Sequence, residues 1–457
     1  MINGNVSFWW QQLGLPAARP ALPGDRSADV CIVGAGYTGL WTAYYLKKAD
    51  PSLNVVIVEQ RFAGYGASGR NGGWLTNSVT GGRDQYVKSW GRDAAGRMQS
   101  ALNETVDEVV RVAATERIDS GAVKGGEYTV AQNRAQQGRL EAWARDEQTW
   151  SMTDTVLLSA AEAHDRIALE PTTGALWHPH AARINPAQLL AGLATTVERL
   201  GVTIFEDTTA DEIASGRVTT NRGVVRAPIV VRATEGFTSN IRGLHRTWLP
   251  MNSSQIVTEP VAASVWKRIG WSGRELVGDM AHSYFYAQRT ADDRIAIGGR
   301  GVPYLYGSRT DTDGHTPDST VASLRALLGR LLPGTADVPI AHAWSGVLGV
   351  PRDWSATVGF DSATGMGWAG GYVGTGVTAT NLAGRTLADL ILGRHTDVTE
   401  LPWVNHRVRK WEVEPLRWLA VRGLYAAYGM ADRAEFRGRA TTSPLARMAD
   451  VISGRAH

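Results

Sequence analysis

Cysteine is almost missing from this chain: Cys31 is the only one in 457 residues. No disulfide can close within the chain, and a cysteine-based metal cluster is excluded. No run of about 18 apolar residues occurs, so no membrane-spanning helix is expected. Net charge is nearly absent too. The 47 Lys and Arg against 44 Asp and Glu leave +3, too little to imply a nucleic-acid partner, and no basic stripe is visible. The opening MINGNVSFWWQQLG lacks the basic start and apolar run of a secretory signal, so a cytoplasmic protein is expected. Internal repeats and low-complexity segments are also lacking. What remains is ordinary globular usage, 43% hydrophobic and 20% charged, which excludes a disordered chain. The length suits about three domain-sized units. Glycine alone is in excess, at 51 residues, and the excess falls in a few clusters.

The first cluster follows a short apolar, β-branched run, Asp29 to Val33, that reads as a buried strand. Gly34-Ala35-Gly36-Tyr37-Thr38-Gly39 comes next, then the helical composition of LWTAYYLKK. A second buried strand, Val55 to Val58, ends in Glu59 and Gln60. This is the dinucleotide-binding fingerprint in its full frame. Gly34 permits the tight turn, Gly36 lets the backbone approach a pyrophosphate, and Gly39 lets helix and strand pack closely. The helix N-terminus offers free N–H groups to phosphates, and Glu59 can accept from a ribose hydroxyl. Cys31, mid-strand, reads as a buried core thiol.

The second cluster, Gly64-Tyr65-Gly66-Ala67-Ser68-Gly69-Arg70-Asn71-Gly72-Gly73-Trp74, is too rich in glycine for a helix or central strand. It reads as a surface loop or as backbone pressed against a flat ligand. Taken together, DVCIVGAGYTGLWTAYYL, VVIVEQ and GASGRNGGW resemble the D-amino-acid oxidase/glycine oxidase superfamily of FAD-dependent amine oxidoreductases. The N-terminal FWW and VVRATEGFTSNIRG resemble its gamma-glutamylputrescine oxidase-like branch. The resemblance implies an α/β fold: a Rossmann-type, glutathione-reductase-like FAD domain beside an antiparallel-sheet substrate domain. Ala67, Ser68, Arg70, Asn71, Gly72, Gly73 and Trp74 would serve the flavin, with Trp74 bordering the cavity. Arg70 stands where some covalent flavoproteins of this kind place a flavin-linked histidine, so noncovalent FAD is implied.

Further along, GMGWAGGYV (365–373) reads as a strand, followed by Gly374-Thr375-Gly376-Val377-Thr378 and a helix. After Gly393 no buried strand with an acid follows, so a second dinucleotide site is not expected. By resemblance, this helix N-terminus would face the flavin pyrimidine, where its dipole favours negative charge. The FAD domain is expected in three parts, 1–90, 183–240 and 342–400. The substrate domain is expected over 91–182 and 241–341, with strands at Glu127–Ala131, Gln255–Thr258, Ser283–Arg289 and Arg294–Gly299. Residues 401–457 form a basic, aromatic helical extension, read as packing on the FAD domain or a partner copy, or as lying on a membrane surface.

Flavin carries the redox chemistry in such enzymes, so substrate clamps matter more than a triad. SYFYAQRTADDRIAIGGR (283–300) reads as a hairpin with Tyr284, Tyr286 and Gln288 on one face, and Phe285 and Arg289 on the other. Compared with monomeric sarcosine oxidase-like sequences, Ala296 falls where an oxygen-activating lysine stands, and Arg300 where an active-site histidine stands. Arg300 is thus a candidate clamp for an anionic group or a charge near flavin N5; otherwise it is a surface arginine in a turn. Trp344 to Gly349 resembles a segment whose arginine grips an α-carboxylate in amino-acid-oxidising relatives; here Leu348 takes that place, with Arg352 beyond it. His178 and His180 in WHPH have no third ligand in sight, and no metal is expected.

The implied activity is oxidation of a primary or secondary amine, with or without a remote anionic group, to an imine that hydrolyses to a carbonyl compound, by hydride transfer to flavin N5. Oxygen or another acceptor would take the electrons. A dehydrogenase passing them to a quinone or electron-transfer protein, and a non-catalytic FAD-binding subunit, remain open.

Overall fold

The computed structural model describes residues 1–299, 304–310 and 313–453. At its centre lies a six-stranded sheet, in the order Thr203–Phe205, Val55–Val58, Val30–Val33, Ile229–Arg232, Met366–Gly370 and Thr357–Asp361. All pairs are parallel except the last. Val30–Val33 and Val55–Val58 are wholly buried, as expected of parallel strands covered on both faces. Helices Tyr37–Ala49 and Gly376–Ile391 pack on it, and Pro186–Arg199 packs against the first of these. Two of them pack so closely that a Cβ on Gly384 would come within 2.6 Å of the Trp41 Cβ.

A nine-stranded sheet stands beside this unit. Its order is Ile2–Asn3, Ile340–Val350, Leu249–Thr258, Ile295–Gly299, Tyr286–Arg289, Leu276–Asp279, Glu127–Ala131, Gly174–His178 and Val156–Ser159. It is antiparallel apart from two parallel pairs: Ile2–Asn3 with Ile340–Val350, and Leu276–Asp279 with Glu127–Ala131. Helix Asp318–Leu331 seals one face through Val321, Leu324 and Leu328. Ile340–Val350 runs across the expected boundary at 341/342 and pairs along its length with Leu249–Thr258.

Two local expectations are corrected. The strand expected over Ser283–Arg289 begins only at Tyr286. Ahead of it the backbone is held as a turn, because Asp432 accepts from the amides of His282 and Ser283, and Asp279 from that of Phe285. Those acids remove the donors a ladder would use, so Tyr284 stands outside the strand. The strand expected over 365–373 is shorter, Met366–Gly370. Positive φ angles at Gly371 and Val373 turn the chain away from the sheet.

Candidate functional site

The fingerprint forms the floor of a cavity of about 370 Å³ at the C-terminal ends of the parallel strands, the usual ligand position in such sheets. Gly34 turns the chain at φ +108, and a Cβ there would press on the Ala233 carbonyl. A Cβ on Gly39 would overlap the Gly34 carbonyl, so only glycine allows this helix–strand approach. Gly36 caps helix Tyr37–Ala49 without a side-chain bond to its amides, leaving donors at the cavity. Ser68 Oγ accepts from the Tyr37 amide at 2.9 Å. Glu59 closes one end, accepting from the amides of Ala35 and Arg61; burial pushes its carboxyl up to about 6. Gln60, Ala67 and Asn71 line the same space.

Why does a loop so rich in glycine hold its shape? The N-terminal helix Phe8–Leu13 braces it. Ser7 Oγ donates to the Gly69 carbonyl, Trp9 Nε1 to that of Asn71 and Trp10 Nε1 to that of Gly64. The far side of the loop rests on the nine-stranded sheet. A Cβ on Gly72 would strike the Tyr286 ring at 2.9 Å, and one on Gly73 would overlap the Gln288 amide. Gln288 Nε2 donates to the Gly72 carbonyl at 2.6 Å. Tyr286 and Gln288 therefore share the face that meets the loop, while Arg289 lies on the other face over the Trp266 ring. Tyr286 also reaches Ser253 Oγ at 2.8 Å.

Arg70 takes a bracing position and is not part of the cavity lining. It is buried, donates to the carbonyls of Tyr65 and Ser345, and lies 4.4 Å from the Tyr65 ring centre. Its own carbonyl accepts from Gln255 and Trp344. Trp74 packs its ring edge on Tyr286 and likewise stands back from the cavity lining. Cys31 is fully buried, and burial pushes its thiol up to about 12.

The opposite wall is built around Glu235, to which no sequence motif assigns a role. Its φ is +39, uncommon for a residue with a side chain. The carboxylate accepts from the amides of Gly349 at 3.1 Å, Gly371 at 2.8 Å and Tyr372 at 3.2 Å. Burial pushes it up to about 7, against the pull of these amides and of Arg232. One side chain thus ties the long strand Ile340–Val350 to the turn that enters helix Gly376–Ile391. The only sequence signal was an acid where the chain leaves a buried parallel strand. Gly374, Gly376 and Val377 line the cavity beside it, and Leu348 projects to within 3.7 Å of where a Gly374 Cβ would lie. Thr375 caps the helix by backbone only and bonds Thr80 at 2.7 Å. Thr38 meets the Tyr372 hydroxyl at 3.0 Å, and Thr378 is buried with its hydroxyl unpartnered.

Other candidates fall elsewhere. Arg300 lies outside the described residues. Tyr284 is half-buried on the turn before the strand. Arg352 pairs with Glu412 at 3.0 Å over the Trp411 ring, away from the cavity lining. His178 lies 3.6 Å from Glu127, and His180 bonds Asp154 at 2.8 Å.

The residues present suit FAD. Glycines form a cradle with no room for a Cβ, two helix N-termini whose cap residues make no side-chain bond to the helix amides open on the cavity, and the half-buried Glu59 stands where the second strand ends. The family model for FAD dependent oxidoreductases, DAO, matches residues 29–390. The chain is 30% identical over 372 residues to gamma-glutamylputrescine oxidoreductase of Escherichia coli, covering 80% of this chain and 84% of that protein. It is 28% identical over 388 residues to the protein named probable oxidoreductase OrdL of Haemophilus influenzae, covering 82% and 85%. The crystal structure of glycine oxidase from Geobacillus kaustophilus superposes with a TM-score of 0.69 at 20% identity, covering 84% of this chain and all of that one. The chain belongs to the DAO family of FAD-dependent oxidoreductases.

Proposed function

We propose that this enzyme oxidises a primary or secondary amine to an imine, which water hydrolyses to a carbonyl compound. The observation that carries this reading is Leu348, an aliphatic side chain in the cavity wall where amino-acid-oxidising relatives resemble this segment but carry a carboxylate-gripping arginine. Without that cation an α-carboxylate has no partner at this position, and burying it unpaired is costly; an amine has no such cost. The likeness to gamma-glutamylputrescine oxidoreductase agrees. FAD, when bound, supplies the two-electron acceptor. The chain's own residues would hold and orient it: the start of helix Tyr37–Ala49 its phosphates, and Glu59 its ribose. The uncapped start of helix Gly376–Ile391 favours negative charge beside Gly376 and Val377. The glycine loop, braced by Trp9, Trp10 and Gln288, supports the ring system and keeps water from it.

Anaerobic bleaching of the flavin colour across amines, α-amino acids and aminophosphonates tests the reading. Amines should bleach it and α-amino acids should not; Leu348→Arg should gain α-amino acids. Bleaching of the wild type by α-amino acids as fast as by amines would overturn it. A second reading, electron transfer to a quinone or carrier protein, is favoured by Ala296. This residue is buried, opposite Val257 and Gln288, where the resemblance expects an oxygen-activating lysine. Reduced enzyme should then reoxidise faster with a quinone analogue than in air, and Ala296→Lys should narrow the gap.

A further inference from the structure

The C-terminal extension has an inside and an outside of opposite character. Residues 401–457 carry ten Lys and Arg but five Asp and Glu, so they hold more positive charge than the chain's net +3. Every one of the five acids is engaged. Glu412 pairs with Arg352, and Glu414 with Arg417 and Tyr304. Asp432 takes the amides of His282 and Ser283. Glu435 binds Arg139 and His282, and Asp450 takes the Tyr428 hydroxyl.

Apart from Arg417, which is buried against Glu414, the described arginines of the two helices face the other way. On helix Leu416–Phe436, positions Leu419, Arg422, Ala426, Met430 and Arg433, with Arg437 just past its end, recur every three or four residues as one exposed stripe. Helix Pro444–Ser453 packs Ala446 and Ala449 on Tyr428 and Ala431, turning Leu445, Arg447, Met448 and Val451 outward. Leu419, Met430, Met448 and Val451 are 52–83% exposed. Among the described residues, Arg422, Arg433, Arg437 and Arg447 have no carboxylate partner.

We propose that this two-helix face lies on an anionic lipid surface, with its Leu, Met and Val side chains in the headgroup boundary and its arginines on lipid phosphates. Exposed apolar residues interleaved with unpaired cations suit such a surface, since the long arginine stems reach polar headgroups while neighbouring apolar tips sink. A second copy of the chain fits worse. An isologous contact through this stripe would bring its arginines together with no exposed carboxylate in the stripe to pair them. Among the described residues no helix is long and apolar enough to cross a membrane, so the contact would be peripheral.

The test uses the full FAD-loaded protein, sedimented with phosphatidylcholine vesicles and with the same vesicles containing phosphatidylglycerol. Binding to the anionic vesicles, released by salt, is expected. Each cation near such a surface contributes about 1 kcal/mol, or roughly fivefold. The triple substitution R422Q/R433Q/R437Q should therefore weaken binding on the order of 100-fold. Met448→Ser with Val451→Ser should weaken it as well, with flavin content and thermal midpoint unchanged in both variants. No binding to anionic vesicles, or equal binding to neutral ones, would overturn the proposal. So would concentration-dependent self-association that the same substitutions abolish, because the face would then be an interface between copies.

Discussion

Gly36 shows how much one missing Cβ decides. Its ideal Cβ would lie 2.9 Å from Ser68 Oγ, in the space between the fingerprint and the glycine loop. Gly36→Val should therefore purify nearly colourless, with FAD affinity down at least about tenfold and the fold retained by circular dichroism. Glu235 makes a different residue-scale prediction. Its folded pKa of about 7 lies above the ordinary carboxyl value of 4.5. Between those values the native protein holds more protons than the unfolded chain, so the stability this group contributes is present at low pH and is lost as pH rises through 7. A shift of that size corresponds to ~3 kcal/mol. Denaturant unfolding of wild type and Glu235→Gln at pH 5 and pH 8 should show the wild type losing roughly that much relative to the variant. Parallel pH dependence in the two proteins would contradict it.

Elements are held in place here by a few buried polar ties. Helix Leu416–Phe436 is anchored by Glu435, whose carboxylate is fully buried with Arg139 at 2.8 Å and His282 at 3.1 Å. These partners hold its carboxyl down at about 2, although burial alone would raise it. Its contribution is present above the ordinary carboxyl pKa and is lost as pH falls towards 2. Glu435→Ala removes the buried carboxylate that Arg139 and His282 share, a loss of about 3–5 kcal/mol. Limited proteolysis should then cut near the 282–285 turn and within the C-terminal helices well before the FAD unit. The same logic explains the shortened strand: Asp432 and Asp279 take the amides that Ser283 and Phe285 would have given to a ladder. Alternation of residue types predicted the shared face of Tyr286 and Gln288. It could not predict where the strand begins, because an acid more than a hundred positions away decides that.

For the whole molecule, the FAD cradle is assembled from both sheets, so cofactor and stability are linked. Removing FAD should lower the thermal midpoint. Adding it back at about 100 times its Kd should restore ~2.7 kcal/mol. We propose that FAD is held without a covalent bond. In support, Arg70 is committed to the Tyr65 and Ser345 carbonyls, and Cys31 is sealed in the parallel sheet. Acid precipitation should leave the yellow colour in the supernatant; colour in the pellet would refute this.

The fingerprint was legible because its physics is local. Strand, turn, helix and acid lie within one short stretch, and each glycine's purpose follows from the turn it must make. FAD over another dinucleotide came from the resemblance carried by that stretch and the glycine loop. Tertiary structure alone gave Glu235 its place, since its carboxylate meets amides 114 and 136 positions further on. It also gave the FWW segment its task of bracing the loop, through bonds spanning 62 and 54 positions. The two faces of the C-terminal helices have the same origin. Composition shows an excess of arginine, but packing chose which charges turn inward: Asp432 and Glu435 met donors on the body, Arg417 is buried against Glu414, and Arg422, Arg433 and Arg447 are left to solvent.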